Sequence, residues 1–116
     1  MPRRQSEEHH LPLTPAVLHI LLALADGDRH GLGVMSEVEE RTGGTVRLGP
    51  GTLYGTIKRM LQSGLIAETD HRPDPAFDDT RRRYYTMTDL GRRVLAVEAE
   101  RLQQLVSTAR AKKVLS

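Results

Sequence analysis

The segment Pro50–Ser63, PGTLYGTIKRMLQS, carries the residues whose types and spacing best suit chemistry, and that chemistry is recognition of a polyanion. Placed at ~100° per residue, Leu53, Ile57, Met60 and Leu61 fall on one side and are expected to bury. Gly51, Gly55, Lys58, Arg59 and Gln62 fall on the other, flanked by Thr52 and Tyr54, and no carboxylate lies on the segment. Such a face offers donors to phosphates and base edges and no negative charge to repel a backbone, as the major groove of double-stranded DNA requires. The start, GPGTLY, adds free backbone N–H groups at Gly51 and Thr52, where a helix N-terminus favours a phosphate. Tyr54 is placed to donate its hydroxyl to a neighbouring phosphate; its alternative role is packing at the edge of the core. Gly55 lies mid-helix on the exposed side, which costs roughly 1 kcal/mol relative to Ala. Close approach of helix backbone to DNA offsets that cost; the alternative is a tolerated, neutral glycine.

A second basic group lies in RRRYYTMT. Strand alternation sets Arg83, Tyr85 and Met87 on one face and Arg82, Tyr84 and Thr86 on the other, and at least one tyrosine is expected in the core. Arg81 and Arg82, with Arg72 across the turn, are expected beside a flanking minor groove or the DNA backbone. The acids Asp74, Asp78 and Asp79 count against deep insertion, so a wing grazing the backbone is the expectation.

The elements that must hold these residues follow from caps and periodicity. Thr14 and Pro15 open a first helix over AVLHILLALA, apolar on nearly every side, which Asp26 and Gly27 end. A second helix is expected from about His30 to Thr42, with Leu32, Met35 and Val38 buried and Glu37, Glu39 and Glu40 in water, stopped by Gly43 and Gly44. Thr45 to Leu48 reads as a short extended piece. The third helix starts near Pro50 or Gly51 and ends at Gly64 as a left-handed cap. Two β segments, Leu65 to Thr69 and Arg82 to Thr88, flank a polar tip containing two prolines. Thr88 and Asp89 then open a long last helix towards Lys113. Helix, helix, helix, hairpin, long helix is a mainly α architecture with a small β-hairpin: a winged helix-turn-helix plus a C-terminal dimerisation helix. Its expected parts are a flexible tail at 1–12, a DNA-binding domain at 13–88 and the dimerisation helix at 89–116.

On that last helix Leu95, Ala99, Leu102, Val106 and Ala109 follow alternating four- and three-residue steps, widened by Leu90, Val94, Val97 and Leu105. One small domain cannot cover so long a strip together with an all-apolar first helix. Val17, Leu18 and Leu21 are therefore expected, with the seam, to face a second copy of the chain, and twofold symmetry then matches a palindromic operator.

Composition bounds the alternatives. At 116 residues the chain fits one modest core, and with aromatics at 3% that core must be aliphatic. The absence of cysteine excludes disulfides, thiolate nucleophiles and Cys-based metal sensors. No apolar run spans a bilayer and the N-terminus carries no secretory signal pattern, so a cytoplasmic protein is expected. A formal charge of +2 says little; the placement of the arginines says more. No phosphate-binding loop ending in Lys, no HExxH and no GxSxG is present, so neither enzyme, metal site nor cofactor is expected. His19 and His30 read as packing or capping residues.

The segments LTPAVLHILLALADGDRHGLGVM, RTGGTVRLGPGTLYGTIKRMLQSGLI and RRRYYTMTDLGRRVLAVE together resemble the PadR family of transcription regulators over nearly the whole chain, the middle segment most specifically. The resemblance implies a winged helix domain, a dimer through the first and last helices, and repression of a nearby promoter; the single last helix is similar to the short subfamily. Leu32 stands where many relatives carry an aromatic. Some relatives hold flat aromatic drugs between subunits with an aromatic of the last helix, and this chain has no Phe, Tyr or Trp from Asp89 onward, which leaves an aliphatic pocket for a small apolar inducer. Two other readings compete: a sensor whose dimer cavity is the regulated site, and a protein-interaction module on a winged helix that has lost DNA binding, against which Lys58 and Arg59 argue. If Gly55 serves close approach, Gly55→Ala raises the melting temperature while Gly55→Leu or Phe weakens DNA binding in a mobility-shift titration; unchanged affinity with the bulky residues refutes the role.

Overall fold

The computed structural model describes residues 7–72 and 82–116; Arg81 and the acids Asp74, Asp78 and Asp79 lie outside them. Helix α1 spans Pro15–Leu24, β1 Arg29–His30, α2 Gly31–Arg41, α3 Pro50–Ser63, β2 Ile66–Thr69, β3 Tyr84–Met87 and α4 Asp89–Ala111. The mainly α architecture with a small sheet and a long last helix is the one expected.

Local chemistry sets the helix boundaries. The Thr14 hydroxyl accepts from Val17 N–H with Pro15 at the first helical position. The His30 imidazole caps α2 by accepting from Gly33 N–H at 3.0 Å, so this histidine is a capping residue. Gly64 ends α3 at φ 81°, a left-handed conformation that glycine adopts without strain. Thr88 caps α4 by accepting from Gly91 N–H.

The sheet contains a strand absent from the sequence reading. β3 lies in the centre, pairing with β2 on one side (Ile66 opposite Met87, Thr69 opposite Tyr84) and with β1 on the other (Arg29 opposite Tyr85, His30 opposite Tyr84). Two residues between a turn and a helix carry too little periodicity to be recognised as a strand. Thr45 to Leu48 is a bent connection and forms no strand.

The core is aliphatic: Ile20, Leu21 and Leu24 from α1, Val34 and Val38 from α2, Leu53, Ile57 and Met60 from α3, Ile66 and Tyr85 from the sheet, Val94 and Leu95 from α4. Several expectations are corrected here. Leu32 is exposed, because the inward stripe of α2 runs through Gly31, Val34 and Val38. Leu61 is half-buried, whereas Thr56 is fully buried. Both tyrosines of the hairpin bury. Residues 7–12 do not behave as a free tail: Glu7 is buried and accepts from Arg93 at 3.0 Å, and Leu11 packs on the core.

Two contacts join the ends of the chain to this core. The buried Glu98 carboxylate accepts from Arg101 and, at 2.8 Å, from the Leu13 backbone N–H just before α1. The Arg101 guanidinium holds this carboxyl below the usual glutamate range, with the Leu13 N–H adding to the effect against desolvation. Gly91 lies so close to β2 that a Cβ there would be 2.1 Å from the Leu65 carbonyl oxygen.

Gly91→Ala is therefore expected to lower stability by about 1–3 kcal/mol or more, read as a fall in melting temperature, whereas Gly27→Ala, whose Cβ would meet nothing within 4 Å, should not. The depressed folded pKa of Glu98 makes its stabilisation full above the ordinary glutamate value, about 4.3, and lost as pH falls through the folded value. Glu98→Gln should thus melt below wild type at pH 7, with the gap closing as the pH is lowered; a gap independent of pH refutes the ionic role.

Candidate nucleic-acid interface

The sequence of α3 divides cleanly in space. Leu53, Thr56, Ile57 and Met60 turn inward and are buried, which fixes the roll of the helix and leaves Gly51, Thr52, Tyr54, Lys58, Arg59 and Gln62 exposed, with Gly55 half-buried among them. No side chain caps the start of α3: Gly49 stands at the N-cap, Pro50 follows, and no acid occupies the first turn. The first amides point outward at the positive end of the helix.

Arg59 does not extend freely from this face. It runs back along the helix, donating from Nη2 to the buried Thr56 hydroxyl at 3.1 Å, and its Nη1 would lie 3.7 Å from a Cβ on residue 55. Gly55 thus leaves room for the guanidinium to lie over the helix. A methyl group fits in ordinary contact, whereas a larger side chain would displace Arg59. Tyr54 leans the other way, over the start of α2, where a Cβ on Gly31 would be 2.6 Å from the phenol oxygen.

The sheet places the remaining basic residues closer to the body than the sequence suggested. Arg72 stacks over Tyr84 at 4.9 Å, and the Tyr84 ring meets His30 edge-on at 5.3 Å. Arg82 is half-buried and brings Nη1 within 3.0 Å of His30 Nε2, so it faces the α2 N-terminus. Arg83 pairs with Glu68 at 3.1 Å on the surface. Tyr85 lines a cavity of about 440 Å³ with His30, Gly31, Tyr54 and Arg82. The sequence reading did not assemble this group, since β1 was the element needed to bring His30 beside β3.

Of the residues expected to face a second copy, Leu21 and Leu95 are occupied in the chain's own core. Val17 and Leu18 are half-buried, as are Leu102 and Ala109, while Ala99 and Val106 are exposed. Beyond Glu98 no residue of the chain is buried, and Leu105 is 54% exposed. No group of three or more potential metal-binding side chains occurs among the described residues. Among them, no helix is long and apolar enough to cross a membrane.

Similarities to known proteins accord with this geometry. The chain is 35% identical over 88 residues to a transcriptional regulator of Mycobacterium tuberculosis, covering 76% of each protein. It is 34% identical over 90 residues to an uncharacterized 37.1 kDa transposon protein of Streptomyces fradiae, covering 78% of this chain but only 24% of that protein's length. In three dimensions it is similar to a PadR family regulator of Clostridium difficile (TM-score 0.69, 23% identity, 84% of this chain and 97% of that one). It is also similar to Bacillus subtilis PadR, solved in complex with operator DNA (TM-score 0.61, 23% identity, 73% of this chain and 45% of that one). Residues 20–97, from the middle of α1 to the third turn of α4, match the model of the transcriptional regulator PadR-like family, and the chain belongs to that family.

Proposed function

We propose that this regulator binds double-stranded DNA as a homodimer on a palindromic operator and represses transcription from it, in the cytoplasm. The observation that carries the reading is the outer face of α3: exposed Lys58, Arg59 and Gln62 with an uncapped N-terminus and no carboxylate. Lys58, Arg59, Gln62 and the close-approach surface at Gly55 would meet the major groove, while Gly51, Thr52 and Tyr54 would hold a phosphate at the helix start. Arg72 and Arg82 would serve the flanking backbone. That the Bacillus subtilis relative was solved in complex with operator DNA supports the DNA-binding reading.

The second half of α4 supplies the dimer surface. From Ala99 it projects beyond the core with Leu102, Leu105, Val106 and Ala109 uncovered or half-covered. Val17 and Leu18 of α1 would complete the interface, with Leu21 and Leu95 supporting it from beneath. Release by a small apolar inducer between subunits would rely on these aliphatic residues, as α4 has no aromatic on which to stack a ligand.

A mobility-shift titration with the promoter fragment upstream of the chain's own gene tests the reading. Binding is expected to weaken by several orders of magnitude between low and moderate salt. Lys58→Ala should reduce the salt slope by about 1. Leu102→Glu with Val106→Glu should give a monomer in sedimentation that no longer shifts the fragment. A wild type that binds all duplexes equally weakly, or none, refutes the proposal.

A further inference from the structure

Thr56 is the one polar side chain on the inward stripe of α3, which is otherwise made of Leu53, Ile57 and Met60, and it is only 1% exposed. A hydroxyl buried among aliphatic neighbours costs stability unless it is bonded. Its oxygen accepts from Arg59 Nη2 at 3.1 Å, about one turn further along the helix. Helical side chains lean towards the N-terminus, so Arg59 lies back over the preceding turn, and Gly55 supplies the floor beneath it. Among the described residues, Arg59 Nη1 is the atom that a Cβ at position 55 would meet within 4 Å, at 3.7 Å. Lys58, the other cation of α3, makes no side-chain hydrogen bond among the described residues, so Arg59 is the one whose direction is fixed.

The bond to Thr56 leaves Arg59 a defined set of donors. A guanidinium presents two paired edges, Nε with Nη2 and Nη1 with Nη2, and it stays charged. Thr56 takes one Nη2 proton, so one paired edge remains whole. No carboxylate lies on α3 to occupy that edge. Such a fork matches O6 and N7 of guanine in the major groove, whereas adenine sets its own N6 donors against it. A fork held in advance also loses less freedom on binding than a wandering side chain.

We propose that Thr56 is a positioning residue for sequence specificity: it holds Arg59 over Gly55 so that the free guanidinium edge reads one guanine in each half-site. This role rests on the DNA-binding reading and adds to it the base recognised and the residue that aims the arginine.

The test uses the full chain and the shortest duplex of its own promoter fragment that it shifts. Each guanine in turn is replaced by 7-deazaguanine, which lacks the N7 acceptor. Wild type should lose about tenfold in affinity at one guanine of each half-site. Thr56→Val keeps the side-chain shape without the hydroxyl; it should melt no lower than wild type, bind the unmodified duplex up to about tenfold more weakly, and lose little more when that guanine is replaced. Thr56→Ser restores the hydroxyl and should restore the guanine effect. Arg59→Lys, a surface change independent of the Thr56 packing, keeps the charge but not the fork, so the salt slope should hold while the guanine effect disappears.

A guanine effect of full size in Thr56→Val overturns the positioning role. One that survives in Arg59→Lys assigns the guanine to another side chain and overturns the proposal as well. If a sequence-specific complex shows no guanine effect in wild type, base reading by Arg59 is refuted, and a salt slope lowered by about 1 in Arg59→Gln then makes it a phosphate contact. If wild type binds no duplex specifically, the DNA-binding reading itself fails and this role falls with it.

Discussion

The junction at Leu65 is the constraint on which the rest of the structure depends. Gly64 turns the chain out of α3 in a left-handed conformation, and Leu65 N–H closes back on Met60 O at 3.0 Å. From the other side Thr88 donates its hydroxyl to Gly64 O and its amide to Leu65 O, and accepts Gly91 N–H as the α4 cap. Gly91 permits this approach because it has no Cβ to strike the Leu65 carbonyl. The end of α3, both hairpin strands and the start of α4 are thereby tied at one point. In the proposed dimer, an arm anchored this way would pass the orientation of α3 to the partner of α4, and that relation would set the spacing of half-sites in a twofold complex.

Charge is organised with the same economy. The net charge is small, and among the described residues away from α3 several arginines are matched by acids: Arg41 with Glu37, Arg83 with Glu68, Arg93 with Glu7, Arg101 with Glu98. Arg59 on α3 bonds a neutral hydroxyl instead, so its charge is not cancelled at the surface where a phosphate would approach. The pairs exposed on both sides, such as Arg83–Glu68, contribute little stability. Their consequence lies more in leaving one acid-free face, which a polyanion would distinguish from the rest of the surface.

The helices were legible because their signals are local. Thr14–Pro15, the Gly64 cap and the Thr88 cap each act within four residues, and the α3 pattern separates inner from outer residues at helical spacing. The misses share the opposite property. β1 is two residues long and exists only through pairing with β3, fifty-odd positions away in the sequence. Leu32 was assigned inward on periodicity alone, but the approach of Tyr54 to Gly31 and the burial of Val34 set the roll of α2 differently. Leu95 looked like seam and is core, since the first turns of α4 pack under α1 before the arm projects.

The sequence by itself determined the family, the succession of elements and the acid-free face of α3, all of which follow from residue type and short-range period. Tertiary structure alone decided what the basic and aromatic residues of the hairpin face. It turned Arg82 towards His30, buried Tyr85 with its hydroxyl open to a cavity, and laid Arg59 across Gly55. These depend on which strands pair and how closely backbones approach at Gly31 and Gly91, distances that no periodicity encodes.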